Sequence, residues 1–409
     1  LEFRRVLFRS VVQNMKRDNN VLYSQNYGLW YDRRRDDHER VRRRDGDVWG
    51  PFYEQPFARS GKDTAWDGLS KYDLSRQNEW YFYRLNKFAD CEADNGMILM
   101  NQHYFQHNIL EAGAHWVDCP WRSANNINGT EFPEPVPFTG DKRIFMADNF
   151  YDVNNSHLRE LHRNYIYGVL DAFANKPNVI HSIGEEFTGP YKFVKFWLQT
   201  VSEWEQQNHK KVLVSLAVNK DVQDSIMQDK DLAKTIDIIN IEQWFYNSRG
   251  LYAPKGGMNL APRQAMRNTR AGGVSFADVY RSVSECRTAW PDKAVMYYAN
   301  SYTEMAWAVL MAGGSCPDIP VKDKQFLHSV AAMQPSFHRD NVYMISGGKD
   351  AVAYIGTENN AIKVSISKGI YDILEIDSKS GELKKAKTGV SIDGNYLISS
   401  KGIYWLRKR

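Results

Sequence analysis

Two adjacent glutamates, Glu185 and Glu186, are the residues whose type and position most directly suggest chemistry. They follow a short apolar run, residues 179–183, that is closed by Gly184, and a Gly-Pro pair ends the loop after them. The run is too short for a helix and is bounded by residues that stop a strand. Acids at the carboxyl end of a buried parallel strand are typical of a catalytic site. A strand followed by a solvated acidic turn is the alternative for the pair taken alone.

Further polar and aromatic residues could contact a ligand. Amides and imidazoles, which can hydrogen-bond hydroxyl groups, follow another short apolar run, residues 97–100. They are Asn101, Gln102, His103 and His107. The candidates for stacking against a sugar ring are Trp244, Tyr246 and Trp30. Glu54 is an additional acid in a long aromatic loop, and structural packing is the alternative for the histidines and the aromatic residues.

The bulk composition narrows the classes of partner. The chain has 409 residues and a formal net charge of +4, and residues 33–44 form a run of arginines interleaved with acids. A mixed run of this kind predicts a salt-bridged loop or helix face rather than a nucleic-acid surface. The arginines could instead bind an anionic sugar, because a guanidinium fork matches a carboxylate. The aromatic content of 13% suits either a large core or sugar-stacking surfaces.

Other classes of site are not indicated by the sequence. The four cysteines are scattered, and no His, Asp or Glu set has metal-ligand spacing, so we expect no metal and no cofactor. Neither a phosphate-binding loop nor a GxSxG motif occurs. No apolar run reaches the roughly 18 residues that a membrane span needs, so no span is predicted.

Apolar runs alternate with helical patterns or loops along most of the chain, which predicts parallel β/α units. The predicted strands lie near residues 11, 97, 179, 212, 236, 294 and 308. A first long helix is predicted to begin at Asp73 or Ser75 and to extend through Asp90. Three further helices are predicted over residues 156–173, 193–206 and 276–289. A closed (β/α)8 TIM barrel needs eight strands, one more than the predicted set. We therefore expect an α/β fold of this class whose first strand is missing.

The two ends of the chain differ from its middle in their sequence patterns. Residues 1–10 resemble the in-frame translation of a sequencing-library adapter, so we expect them to be an artefact; a native basic amphipathic start is the alternative. The barrel is then predicted over residues 11–338, truncated at its N-terminus, in a periplasmic or extracellular protein whose signal peptide is not present. Short alternating strands between turns predict a C-terminal antiparallel β-sandwich over residues 339–409.

Several segments, in their order and spacing, resemble one enzyme family. They are residues 72–78, 96–100, 178–186, 307–314 and 377–382. From residue 72 to its end the chain resembles the (β/α)-barrel glycoside hydrolases of clan A, and most closely the bacterial apiosidase-like barrels that carry a C-terminal β-sandwich. The resemblance implies a carbohydrate substrate and hydrolysis of glycosidic bonds.

The resemblance also implies roles for named carboxylates. The general acid/base of that clan is a Glu just past strand four, and Glu186 falls at that position, whereas Glu185 replaces the usual Asn. The nucleophile lies at the end of strand seven, where residues 298–301 hold no carboxylate. The candidates for the second carboxylate are Glu304, three residues later, and Glu242 at the end of the preceding strand. A salt-bridged or surface Glu is the alternative for each.

We therefore expect a glycoside hydrolase that uses two carboxyl groups, one to protonate the leaving oxygen and one as nucleophile or base. The expected substrate is a complex plant or algal polysaccharide or oligosaccharide, including uronate-containing ones. A non-catalytic carbohydrate-binding barrel is one alternative, since strand seven lacks a carboxylate at its end. A polysaccharide lyase is another, with the arginine run as its basis.

Overall fold

A computed structural model describes residues 2–27, 54–110, 113–136, 144, 146–184, 186–257, 273–297, 303–357, 362–398 and 400–409. The chain forms two compact units. The first comprises Leu1–Ile238 and Ala253–Gln264, and the second comprises Ile239–Tyr252 and Ala265–Arg409. No helix among the described residues has the length and apolar character needed to cross a bilayer.

The first unit consists of helices interleaved with strands. Its helices are α1 (Glu2–Asp18), α2 (Glu79–Ala93), α3 (His107–Leu110), α4 (Gly113–Val117), α5 (Ala147–Phe150), α6 (Ser156–Phe173), α7 (Tyr191–Asn208), α8 (Lys220–Gln228) and α9 (Lys230–Ala233). Its strands are β1 (Leu22–Gln25), β2 (Phe57–Arg59), β3 (Tyr72–Gln77), β4 (Ile98–Tyr104), β5 (Val179–Gly184) and β6 (Leu213–Leu216).

The second unit begins within β7 (Ile238–Ile241) and adds short strands and three helices. They are β8 (Phe245–Asn247), β9 (Gly250–Tyr252), α10 (Phe276–Ala289), β10 (Ala294–Tyr297), α11 (Thr303–Met311) and α12 (Lys324–Ala331). Eight strands complete it. They are β11 (Gln334–Arg339), β12 (Val342–Gly347), β13 (Asp350–Ile355), β14 (Ile362–Ser365), β15 (Gly369–Ile376), β16 (Leu383–Ile392), β17 (Asn395–Ile398) and β18 (Gly402–Lys408).

A parallel sheet with helices between its strands confirms the barrel class predicted from the sequence. Its strand order is β1-β4-β5-β6-β7-β10, and β1, β4, β5 and β6 pair in parallel. The register places Gln102 opposite Ser182 and Ser182 opposite Ser215. In the described part of the chain the sheet has six strands, one fewer than the seven predicted.

Two predicted strands are wrong because their apolar residues lie in helices. The run near residue 11 lies in α1, where Val12 and Met15 are buried three positions apart. The run near residue 308 lies in α11, where Trp307, Val309 and Met311 are all fully buried. A short helix that is apolar on every side cannot be distinguished from a buried strand by its pattern.

The predicted start of the first long helix is also wrong. Residues from Tyr72 form β3, which pairs antiparallel with β2, and the carboxylate of Asp73 accepts from the backbone N–H of Ser75 at 3.0 Å. The helix α2 begins only after Asn78, whose side chain accepts from the backbone N–H of Tyr81. An Asp that bonds its own backbone two residues on forms a turn instead of capping a helix.

The remaining principal elements confirm the sequence predictions. Helix α6 has the predicted bounds, starts at Asn155 with a side-chain cap, and buries an apolar face that includes Leu158, Tyr165 and Val169. The predicted strands near residues 97, 179, 212, 236 and 294 correspond to β4, β5, β6, β7 and β10. Continuous apolar runs of this length suit a parallel sheet that is covered on both faces.

The C-terminal β-sandwich is confirmed. Its larger sheet has the order β11-β12-β13-β18-β15-β16, and β14 and β17 form a second sheet of two strands. Val364 and Ile398 of the small sheet share one apolar core with residues of the large sheet. On a separate core, Trp405 of the large sheet packs with Trp307 of α11 and Phe326 of α12. The large sheet is therefore covered by apolar side chains on both faces.

Candidate active site

Glu186 lies in the loop that follows the carboxyl end of β5. The strand ends at Gly184, where a Cβ atom would lie 2.9 Å from the carbonyl oxygen of Tyr104, so this position favours glycine. Two residues later Glu186 is 6% exposed and has a φ of +52°, in the left-handed region that residues other than glycine seldom adopt. The buried ring of Phe187 follows, and a Cβ atom at Gly189 would lie 2.3 Å from it.

The side chain of Gln106 holds this loop by two hydrogen bonds. Its amide nitrogen donates to the backbone carbonyl of Glu186, and its amide oxygen accepts from the backbone N–H of Thr188 at 2.8 Å. The carbonyl of Thr188 accepts in turn from the N–H of Gly257 at 2.7 Å. The backbone on both sides of Phe187 is therefore fixed by hydrogen bonds.

The carboxyl group of Glu186 faces an imidazole. Nε2 of His107, the first residue of α3, lies 3.0 Å from Oε2 of Glu186, and both side chains are largely buried. The ring lies against the carboxyl group and limits the orientations that the carboxyl can adopt. A carboxyl group held in this way can deliver a proton to an adjacent ligand and later take it back.

Glu242, in the other unit, is the candidate for the second carboxylate whose side chain the structure describes. It follows β7 directly, is 2% exposed, and its Oε1 accepts a 2.6 Å hydrogen bond from the side-chain amide of Asn240. The Asn240 amide fixes the orientation of this carboxyl group, which can act as a nucleophile or a base.

The aromatic candidates Trp244 and Tyr246 are packed inside the second unit. Trp244 is fully buried, and Tyr246 is 7% exposed. The hydroxyl of Tyr246 donates to Oε2 of Glu285 at 2.5 Å, and the guanidinium of Arg281 lies 3.8 Å from the centre of its ring. The ring of Trp244 lies edge-on to that of Tyr246, with their centres 6.3 Å apart.

The side chain of His103, on β4, contacts Trp197 of α7. Strand β4 extends to Tyr104, beyond its predicted end at residue 100. Nδ1 of His103 accepts from the indole N–H of Trp197 at 3.1 Å, so its proton lies on Nε2, which donates to Nδ1 of His181 at 3.0 Å. Burial and the neighbouring His181 hold the pKa of His103 well below its ordinary value, and burial lowers the pKa of His181 to about 3. These contacts give His103 a structural role.

The amides of β4 bond to the neighbouring strand and the loop after it. Oδ1 of Asn101 accepts from the side chain of Gln25, and Oε1 of Gln102 accepts from that of Asn26, both at 3.2 Å. Gln102 shares its register with Ser182 and Ser215, so three buried polar side chains occupy matching positions on adjacent strands.

The remaining candidates are less completely placed. Glu54 is half-buried, and burial raises the pKa of its carboxyl, while Arg59 acts in the opposite direction. Glu185 and Trp30 lie outside the described residues, as does the side chain of Glu304 in α11.

The sequence did not predict Gln106, because no local pattern marks a glutamine whose partners lie some eighty residues away. Within the described part of the chain, no group of His, Cys, Asp and Glu is arranged to hold a metal ion.

Two solved glycoside hydrolases share this fold. One is a glycoside hydrolase family 5 protein from Bacteroides vulgatus ATCC 8482, with a TM-score of 0.54 at 10% identity over 99% of this chain and 86% of its own. The other, described as a glycoside hydrolase, has a TM-score of 0.53 at 11% identity over 98% of this chain and 88% of its own. At these identities the likeness establishes the fold and not the activity.

The sequence comparisons establish the family. No curated protein matches the chain. Residues 7–333 match the family model DUF6298, a domain of unknown function. Because that match covers most of the 409 residues, the chain belongs to the DUF6298 family.

Proposed function

We propose that this protein is a glycoside hydrolase in which Glu186 is the general acid. The observation that carries the proposal is the buried pair of Glu186 and His107, 3.0 Å apart, in the loop after a barrel strand. Catalytic groups of such barrels come from the carboxyl ends of the strands. The fold shared with two solved glycoside hydrolases supports the same reaction class.

The reaction uses two carboxyl groups. The proton of Glu186 passes to the glycosidic oxygen as its bond to the anomeric carbon breaks. Glu242, whose Oε1 accepts from the Asn240 amide, attacks that carbon or activates a water molecule. Glu304 is the second candidate for this role. A carboxyl separation of about 5 Å would lead to retention of configuration, and one of about 6.5–9.5 Å to inversion.

The proposed substrate is a plant or algal polysaccharide or oligosaccharide, including uronate-containing ones. The arginine run at residues 33–44 supports an anionic sugar, because a guanidinium group pairs with a carboxylate in a bidentate manner. Degradation of such polymers takes place outside the cytoplasm, so we propose a periplasmic or extracellular location.

The test is a screen of wild type and Glu186→Gln on a panel of neutral and uronate-containing plant and algal polysaccharides. We expect wild type to release reducing ends from at least one polymer, and Glu186→Gln to lose about 10²–10⁴-fold of that activity. Glu160→Gln, an exposed change on α6, is the control. Equal activity of Glu186→Gln and wild type would overturn the assignment. Products that absorb in the ultraviolet would identify a lyase, and binding without cleavage a binding protein.

A further inference from the structure

We infer that Gln106 is a positioning residue that holds Glu186 in its left-handed backbone conformation, with its carboxyl group against His107. This inference rests on the proposed function of Glu186 as general acid. It assigns to Gln106 the geometry of the acid rather than a contact with substrate.

The first support is the double hydrogen bond made by the Gln106 side chain. Its donor and its acceptor are both used, on the carbonyl of Glu186 and on the N–H of Thr188, so the amide spans the three residues 186–188. Gln106 is only 1% exposed. A buried amide with these partners cannot exchange them for water, which makes the arrangement rigid.

The second support is the backbone of Glu186 itself. A φ of +52° is unfavourable for a residue with a side chain and persists where surrounding contacts determine it. The carbonyl that accepts from Gln106 belongs to this same residue. Strained backbone that is held by neighbouring hydrogen bonds is common at functional sites.

The third support is the chain position of the two contacts. Gln106 binds the backbone of Glu186, and the next residue, His107, contacts its carboxyl group. The start of α3 is anchored by the N–H of Asn108 on the carbonyl of Phe105, and its end by the N–H of Met146 on the carbonyl of Ile109. One short segment therefore contacts both the backbone and the carboxyl group of the acid.

A defect in the general acid has a kinetic signature that general destabilisation lacks. An aglycone that leaves readily needs no proton, so a substrate with such a leaving group hides the loss of the acid. We expect Gln106→Met, which removes both hydrogen bonds at similar volume, to lower kcat/KM for methyl glycosides by about a hundredfold. For 2,4-dinitrophenyl glycosides of the same sugar the change is expected to stay within about threefold.

Two further variants sharpen the test. Gln106→Glu keeps the acceptor for Thr188 and loses the donor to Glu186, so the same selective loss is expected if the bond to Glu186 is the essential one. Asn178→Met is the matched control, since the Asn178 amide donates to the carbonyls of Ala89 and Met97 at the other end of β5. Equal losses on both substrates for Gln106→Met, as expected for Asn178→Met, would overturn the positioning role.

A measurement without substrate separates this inference from the proposed function. Crystal structures of wild type and Gln106→Met should show Glu186 leaving the left-handed region and its carboxyl group moving beyond hydrogen-bonding distance of His107. If Glu186 keeps its φ and this contact in Gln106→Met, the inference is wrong whatever the enzyme hydrolyses. If the geometry changes but wild type cleaves no glycoside, the positioning role stands and the proposed function fails.

Discussion

At the scale of single residues, the central feature is a largely buried carboxyl group held against an imidazole. Oε2 of Glu186 and Nε2 of His107 are 3.0 Å apart, so the ring limits the orientations open to the acid. The sequence predicted Glu186 correctly as a residue beside a strand end, because short apolar runs closed by glycine are readable locally. It could not predict Gln106, whose contacts depend on how two distant loops meet.

The first prediction concerns His107. His107→Gln removes the imidazole that lies 3.0 Å from the carboxyl group of Glu186, so the acid loses a contact that orients it. We expect kcat/KM to fall about tenfold for methyl glycosides and to stay within about threefold for 2,4-dinitrophenyl glycosides, which need no proton from the enzyme. His328→Gln, an exposed change on α12, should leave both values unchanged. Unaltered rates for His107→Gln on both substrates would exclude a role of the imidazole in orienting the acid.

The second prediction concerns Glu242. Glu242→Gln removes the proposed nucleophile or base, which acts on every substrate irrespective of its leaving group. We therefore expect kcat/KM to fall by about 10³-fold on both methyl and 2,4-dinitrophenyl glycosides. Asn240→Ala, which removes the 2.6 Å donor, should cause a smaller loss of the same kind. Near-wild-type rates for Glu242→Gln would transfer the role to Glu304.

At the scale of elements, buried polar side chains explain where the sequence-based boundaries failed. Asn101, Gln102 and His103 end the apolar run after residue 100, and polar residues usually mark the end of a strand. Here β4 continues through these residues, because side chains on other elements form hydrogen bonds with them. One of these side chains is Trp197 on α7, which donates to His103. Such pairing is a tertiary effect that no local pattern contains.

The third prediction concerns Glu92 on α2. Its side chain is fully buried, and burial raises the pKa of its carboxyl to about 8. The folded state then binds a proton that the unfolded state releases above about pH 4.5, so stability falls as pH rises from 4.5 to 8. We expect Glu92→Met to increase the free energy of unfolding by roughly 3 kcal/mol at pH 8 and by much less at pH 5.

Urea denaturation at both pH values measures this difference. Glu160→Met, at an exposed position on α6, is the control for adding a methionine to a helix. A gain for Glu92→Met that is independent of pH would mean that the carboxyl group is not the source of the instability.

At the scale of the whole molecule, the succession of elements was predictable and their count was not. Alternating apolar runs and helical patterns indicated a barrel, and period-two strands indicated a C-terminal sandwich; both are confirmed. The sequence pattern predicted a strand at α11 because the helix is buried on all sides, and the side that carries Trp307 and Met311 packs in one core with the large sheet of the sandwich. An apolar run indicates that a segment is buried, and tertiary packing decides whether that segment forms a helix or a strand.

The fourth prediction follows from that packing. Trp405 is 1% exposed in a core with Trp307 and Phe326, so Trp405→Ala should lower the free energy of unfolding by about 3–5 kcal/mol. Removal of residues 334–409 would expose the apolar sides of α11 and α12, and we expect the shortened chain to aggregate in size-exclusion chromatography. A monodisperse truncated protein would show that the sandwich is not required to cover these helices.

The most direct test of the account is the dependence of Glu186→Gln on the leaving group. The measurement is kcat/KM of wild type and Glu186→Gln for a methyl and a 2,4-dinitrophenyl glycoside of the sugar identified in the polysaccharide screen. The account predicts a loss of about 10³-fold for the methyl glycoside and less than about tenfold for the dinitrophenyl glycoside, because only the first needs a proton from the enzyme. Equal losses on the two substrates, or no loss on either, would contradict the assignment of Glu186 as the general acid.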